Sequence, residues 1–373
     1  MIDQEIKLLK SISFDVGPIR PPSEGGSDSL LLRFTRNCPW NLCRFCFGSP
    51  YRRKKFEYRP VEEIKGDIDN IKTICDSLKS ISFKLGFGGK LNKRVLNYVL
   101  NLLEDTEQIS KLIMIYKWEN SNKESVFIQD ADNMIMRTKD LVEGLKYLKK
   151  TFPDIKRITT YARSKSVQKK SPKELKEIHD AGLTRLHIGL ESGDDEVLKM
   201  VKKGATSKDH IEAGIKAIEA GYELSEYIMP GLGGEEKSLQ HAKNSANVLS
   251  KINPHFIRSR PFVPRIGTPM YEDWKKGKFK ILSPHLLLKE LEIFVSELNF
   301  SGKLCFDHMR NPSFKIEGFG YVPLLSQSYE GYKFPEQKNE VIERILNGLQ
   351  IEEELFLKAE DLIEYEKEIY RLD

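Results

Sequence analysis

The sequence predicts an α/β fold, a partial (β/α)6 TIM-like barrel of parallel strands with a C-terminal α+β extension. Two observations carry this expectation. Short apolar runs alternate along the chain with stretches of helical periodicity, which is the order of a parallel sheet covered by helices. The helical stretches are punctuated by glycine and proline where such units turn.

The elements follow in order. LLLRFT (30–35) is an apolar run that fits a buried strand. PVEEIKGDIDNIKTICDSL (60–78) has apolar residues at 61, 64, 68, 71, 74 and 78, which is helical spacing. GFGGK (86–90) is a glycine-rich turn before helix-like RVLNYVLNLLED. SVFIQDAD (125–132) reads as a strand and an acidic loop, and DLVEGLKYLKKTFP as a helix ended by proline. IKRITTYA (155–162) is the next strand. SPKELKEIHDAG (171–182) has Ser171 to cap its helix, Pro172 in the first turn and Gly182 at the end. The alternation continues through strand 183–192, helix 210–221, strand 222–234, helix 237–252 and strand 255–263. Six strands suffice for a partial barrel and are too few for a closed eight-stranded one.

Residues 1–29 end in a Pro, Gly and Ser-rich stretch and read as an N-terminal arm. Residues 30–270 form the expected core, with an insertion near 79–124, and 271–373 an extension expected to cover the barrel mouth. The 373 residues carry a net charge of +5 with 39% hydrophobic content. No apolar run reaches membrane-spanning length, and the first residues do not read as a secretory leader, so a cytoplasmic location is expected. The basic runs RRKK (52–55) and KSVQKK (165–170) could meet a phosphate or nucleic acid, but read first as solvated faces.

Three of the five cysteines, Cys38, Cys43 and Cys46, crowd into one loop after the first strand. In a reducing compartment such a group reads as metal-binding. Zinc sites usually close with four ligands, and a [4Fe–4S] cluster normally takes four cysteines. Three thiolates would leave one iron open to an outside ligand. Strand C-termini are also where α/β folds place their chemistry.

CPWNLCRFC, HIGLESGDDEVLKMVKKGAT (187–206), YIMPGLGGEE and RSRPFVPRIGTPMY together resemble the radical S-adenosylmethionine (radical SAM) enzymes. The likeness covers roughly 30–270 and is nearest to the branch with the oxygen-independent coproporphyrinogen oxidases and methylthiotransferases. It implies a [4Fe–4S] cluster on Cys38, Cys43 and Cys46, with S-adenosylmethionine chelating the fourth iron. Reductive cleavage then gives a 5′-deoxyadenosyl radical that abstracts hydrogen from a substrate. The commonest spacing in this family leaves three residues between the first two cysteines. Here there are four, so the loop must bulge by one.

The resemblance also implies roles by position. Phe45 lies near adenine. Gln129, Asp130, Ala131 and Asp132 take the part of the Gly-Gly-Glu-like turn that meets the methionyl amine, in preference to GFGGK, whose Lys90 would repel it. Arg163 pairs with the methionyl carboxylate or with an acidic substrate, Lys203 reaches the carboxylate, and Glu191 meets the ribose or the methionyl group. Glu226 is a similar candidate, and Val263, with Pro264, packs on adenine. Cys75 reads as a core thiol. Cys305 is a speculative hydrogen-atom donor beside Asp307, His308 and Arg310. A low-potential donor such as flavodoxin or ferredoxin is implied, while the substrate is unidentified. The alternatives are a non-catalytic iron–sulfur or zinc protein, and an RNA-modifying enzyme within the family.

Overall fold

The computed structural model describes residues 2–18, 28–46, 54–121 and 123–370. Arg52 and Arg53 of the first basic run, and residues 19–27 of the arm, lie outside the described residues. The chain divides into two compact units. The first holds Met1–Asn37, Phe56–Tyr161 and Lys176–Arg185, and the second Cys38–Lys55, Ala162–Leu175 and Leu186–Asp373.

The first unit opens on a helix, Asp3–Ser11, where an arm was expected. Acidic residues in its first turn suit the helix dipole, and its buried Ile6 and Leu9 face the long helix Val61–Lys84. Strands β1 (Leu30–Arg33), β2 (Thr35–Arg36), β3 (Glu57–Tyr58), β4 (Ser125–Gln129) and β5 (Arg157–Ala162) follow. β1 pairs in parallel with β4, and β4 with β5. Leu30, Leu32, Val126, Phe127 and Ile128 are wholly buried, as strands covered on both faces require. β2 and β3 form a small antiparallel pair. The stretch read as an insertion holds the helices Lys93–Leu100 and Thr106–Asn120, capped by the Asn92 and Asp105 side chains.

In the second unit the strands are β6 (Leu183–Glu191, which begins in the first unit), β7 (Glu223–Ile228), β8 (Phe256–Ser259), β9 (Lys303–Cys305), β10 (Ser313–Ile316), β11 (Gly320–Pro323) and β12 (Tyr332–Lys333). They line up as β6-β7-β8-β9-β12. β8 runs parallel to both β7 and β9, with Ser225 opposite Phe256 and Arg258 opposite Cys305. The C-terminal region therefore adds strands to the sheet: β9 in parallel and β12 antiparallel. β10 and β11 form a separate hairpin. Helices Ser207–Glu219, Gly234–Ile252 and Pro284–Glu297 pack in sequence against one another. Among the described residues no helix is long and apolar enough to cross a membrane.

Candidate cluster and cosubstrate site

The cysteine loop is pinned at several points within the second unit. Trp40 donates from Nε1 to the Lys202 carbonyl at 2.7 Å, and the Arg163 guanidinium lies 5.0 Å from the centre of its ring. A Cβ on Gly204 would lie 2.4 Å from that indole, so only glycine admits the contact. Asn41, between Cys38 and Cys43, takes a left-handed conformation (φ 48°). The Arg44 amide donates to the Val201 carbonyl at 2.9 Å, and its guanidinium pairs with Asp273 at 2.5 Å. These ties set Cys43 and Phe45 into an apolar cluster with Val197, Val201, Leu232 and Phe262.

The thiols are not equivalent. A hydrogen bond from Cys46 lowers the Cys43 thiol to about 7, against the cost of burial and with help from Lys203 and Arg163. The same bond, and burial, push Cys46 well up, while burial raises Cys38. Among the described residues no three His, Cys, Asp or Glu side chains converge as a single-ion site would require. A cubane cluster places its three cysteines on three different irons and does not ask for such convergence.

Glu191 closes β6 at φ 64°, a conformation costly for a residue with a side chain. Its Oε1 meets Lys203 Nζ at 2.8 Å, and its carbonyl accepts from the Met229 amide at 3.0 Å. A Cβ at Gly189 would lie 2.1 Å from Glu191 Oε1, so glycine makes the room for this pair. Burial opposes the charge on Lys203, yet Glu191 and Cys43 more than offset it and its pKa lies above the ordinary value. Lys203 Nζ stands 6.0 Å from the centre of the Phe45 ring, and Arg163 Nη2 donates to the Lys203 carbonyl at 2.8 Å. Phe45, Arg163, Glu191 and Lys203 are thus one constellation around the thiols.

Glu226, on β7, is wholly buried, and among the described residues neither carboxyl oxygen has a hydrogen-bond partner. Burial pushes its pKa well up, with Lys203 opposing and Glu191 reinforcing the shift. A buried polar group left unpaired is costly. A buried carboxyl with both oxygens open, within reach of the charges of Glu191 and Lys203, can meet a ligand rich in donors and acceptors. Val263 is buried in a different apolar cluster, with Tyr271, Leu362 and Ile363.

Gln129, Asp130, Ala131 and Asp132 belong to the first unit. Asp130, at φ 75°, accepts from Arg33 Nη2 at 2.6 Å and Nε at 2.8 Å, and from the Asn37 amide at 2.7 Å. It therefore fixes the residue that precedes Cys38. The Gln129 carboxamide is engaged by both backbone groups of Gly17, and Asp132 is buried. Among the described residues Asp130 Oδ1 has no hydrogen-bond partner.

Cys305 is wholly buried on β9, its Sγ 3.5 Å from the Tyr329 carbonyl, and burial pushes its thiol up to about 12. Cys75 is buried in the helix Val61–Lys84. Lys165 of the second basic run pairs with Asp209 at 2.7 Å. Trp40, Gly189 and Gly204 were not singled out in the sequence. Gly189 carried the one usable signal, as a glycine inside an apolar strand two residues before a glutamate.

Residues 97–243 match the Radical SAM superfamily. This stretch therefore carries a Radical SAM domain match. The match contains Gln129, Asp130, Ala131, Asp132, Arg163, Glu191, Lys203 and Glu226, and the cysteine loop precedes it. A [4Fe–4S] cluster and S-adenosylmethionine are the cofactors of the superfamily. The chain is 32% identical over 114 residues to the tRNA uridine(34) acetyltransferase of Methanocaldococcus infernus, covering 30% of this chain and 21% of that protein. It is 24% identical over 272 residues to Elongator complex protein 3 of Saccharomyces cerevisiae, covering 66% and 43%. The chain thus spans less than half the length of these relatives. Among solved structures it is similar to the coproporphyrinogen III oxidase of Escherichia coli, with a TM-score of 0.44, 14% identity and coverage of 78% and 54%.

Proposed function

We propose that Cys38, Cys43 and Cys46 hold a [4Fe–4S] cluster and that Phe45, Arg163, Glu191, Lys203 and Glu226 receive S-adenosylmethionine beside it. The observation that carries this reading is the wholly buried Glu226 carboxyl, which has no hydrogen-bond partner among the described residues and feels the charges of the Glu191–Lys203 pair. Lys203 and Arg163 offer cations to the methionyl carboxylate. Glu191 accepts from the ribose, and Phe45 packs on adenine. When bound, the pair supplies one-electron cleavage of the sulfonium to a 5′-deoxyadenosyl radical. The Cys305 thiol stays protonated at neutral pH, so it retains the S–H that hydrogen-atom donation needs.

In this reading residues 1–29 are an N-terminal arm whose helix Asp3–Ser11 packs on Val61–Lys84, 30–270 the catalytic core, and 271–373 shape specificity. The electron comes from a low-potential protein such as flavodoxin or ferredoxin in the cytoplasm. A tRNA substrate is the second reading, favoured by the names of the curated relatives. The test is anaerobic reconstitution followed by dithionite and S-adenosylmethionine. One cubane cluster per chain and release of 5′-deoxyadenosine are expected. Stoichiometric zinc without 5′-deoxyadenosine overturns the proposal. A salt-dependent affinity for tRNA decides the second reading.

A further inference from the structure

A second polar cluster sits in the same unit, at the C-terminal ends of the neighbouring parallel strands β8 and β9. Asp307, just past β9, is shared by two guanidiniums: Arg258 Nη1 at 2.8 Å and Arg260 Nη1 at 2.6 Å. Arg260 Nη1 also donates to the Ser259 carbonyl at 3.1 Å, and Asn311 Nδ2 donates to the same oxygen at 3.2 Å. Among the described residues the Ser259 hydroxyl and Asn311 Oδ1, both buried, have no hydrogen-bond partner. One can donate, and the other can only accept, because the amide nitrogen of Asn311 is committed to carbonyls.

His308 completes the cluster. Burial, with Arg260 and Arg310 close by, lowers its pKa to about 4, so the ring is neutral. Its Nδ1 accepts from the Arg310 amide at 3.2 Å, which leaves the proton on Nε2 as another donor. Ligands of α/β folds bind at the carboxyl ends of strands. Glu191 closes β6 at this edge of the sheet, since its carbonyl takes the Met229 amide just as the Ile228 carbonyl takes the Arg260 amide. The structure therefore offers donors, a guanidinium and one acceptor on the edge that carries Glu191.

We propose that this cluster is a substrate subsite for an oxyanion, a carboxylate or a phosphate, flanked by an N–H or O–H group. The guanidinium of Arg260, the Ser259 hydroxyl and His308 Nε2 hold the oxyanion, and Asn311 Oδ1 accepts from the flanking donor. The assignment to substrate rests on the radical SAM reading of Glu191, but binding itself does not need the cluster or S-adenosylmethionine. Apo protein is therefore titrated with glycolate, acetate and inorganic phosphate, followed by thermal unfolding and calorimetry. Saturable binding of one anion per chain is expected. Glycolate, which carries the donor, should bind several-fold tighter than acetate, and a preference for phosphate would name that source instead.

Arg260→Gln should weaken binding at least tenfold. Asn311→Asp, which keeps the shape and adds a negative charge, should weaken it as much while the chain stays folded. Cys43→Ala should bind as the wild type does. Absence of binding, or equal binding by wild type, Arg260→Gln and Asn311→Asp, overturns the subsite. Loss of 5′-deoxyadenosine formation in reconstituted wild type would overturn the radical SAM reading and leave the anion titration standing.

Discussion

Two acids end strands in left-handed backbone, Asp130 after β4 in the first unit and Glu191 in β6 at the edge of the second. Their φ angles are nearly the same, 75° and 64°. Their partners differ. Asp130 takes two guanidinium bonds and one backbone amide, and burial raises its pKa despite Arg33. Glu191 meets one flexible ammonium, beside a glycine that clears space for it. Asp130 is held as a strut for the chain at Asn37. Glu191 is held in a way that a ligand can rearrange. Backbone strain alone does not tell these cases apart, but the number and rigidity of the partners does.

The largest effect should come from the loop that neither acid touches directly. Cys43→Ala should lose the cluster and reduce 5′-deoxyadenosine formation to background, read by iron content and product chromatography. A variant that keeps both would remove the basis for contrasting Glu191 with Asp130.

Asp130→Ala leaves Arg33 without its main partner and should cost about 3 kcal/mol in urea unfolding of the apo protein. Glu191→Gln should cost roughly 1 kcal/mol there, and weaken S-adenosylmethionine binding about tenfold. Equal losses of stability in the two variants would make Glu191 a second strut. Glu226→Gln replaces a neutral carboxyl with a neutral amide, so stability should hold while S-adenosylmethionine affinity falls by several-fold.

The smallest effect concerns Asp209, which forms a capping box with Thr206 at the start of the helix Ser207–Glu219. Burial opposes its ionisation, but Lys165 and the Thr206 donors prevail and lower it from 3.8 to about 2. A depressed folded pKa gives stability that is present above 3.8 and lost as pH falls toward about 2. Asp209→Asn should therefore lower stability by about 1 kcal/mol at neutral pH. The gap from wild type should close between pH 4 and 2, as followed by unfolding at each pH.

Much of this architecture was legible because its signals are local. The apolar run at 30–33, the Ser171 side chain bonded to the Glu174 amide, and the three cysteines are all readable within a few residues. The helix Thr106–Asn120 was not, because Ile109, Leu112, Met114 and Ile115 do not keep to one face. β9 escaped because it is three residues long and takes its place only by pairing with β8. Asp130 was read as a ligand contact because its partner Arg33 lies 97 residues away. The Glu191–Lys203 pair, only 12 residues apart, was within reach.

The Trp40 clamp bears on how chains of this kind are told apart. A pattern that fixes three residues between the first two cysteines passes over CPWNLC. Trp40 and the Lys202 carbonyl lie 162 residues apart and meet only because Gly204 has no side chain. The indole and the distant glycine are therefore a single character in two places, and a chain that keeps a tryptophan at position 40 in this seat should carry the glycine with it.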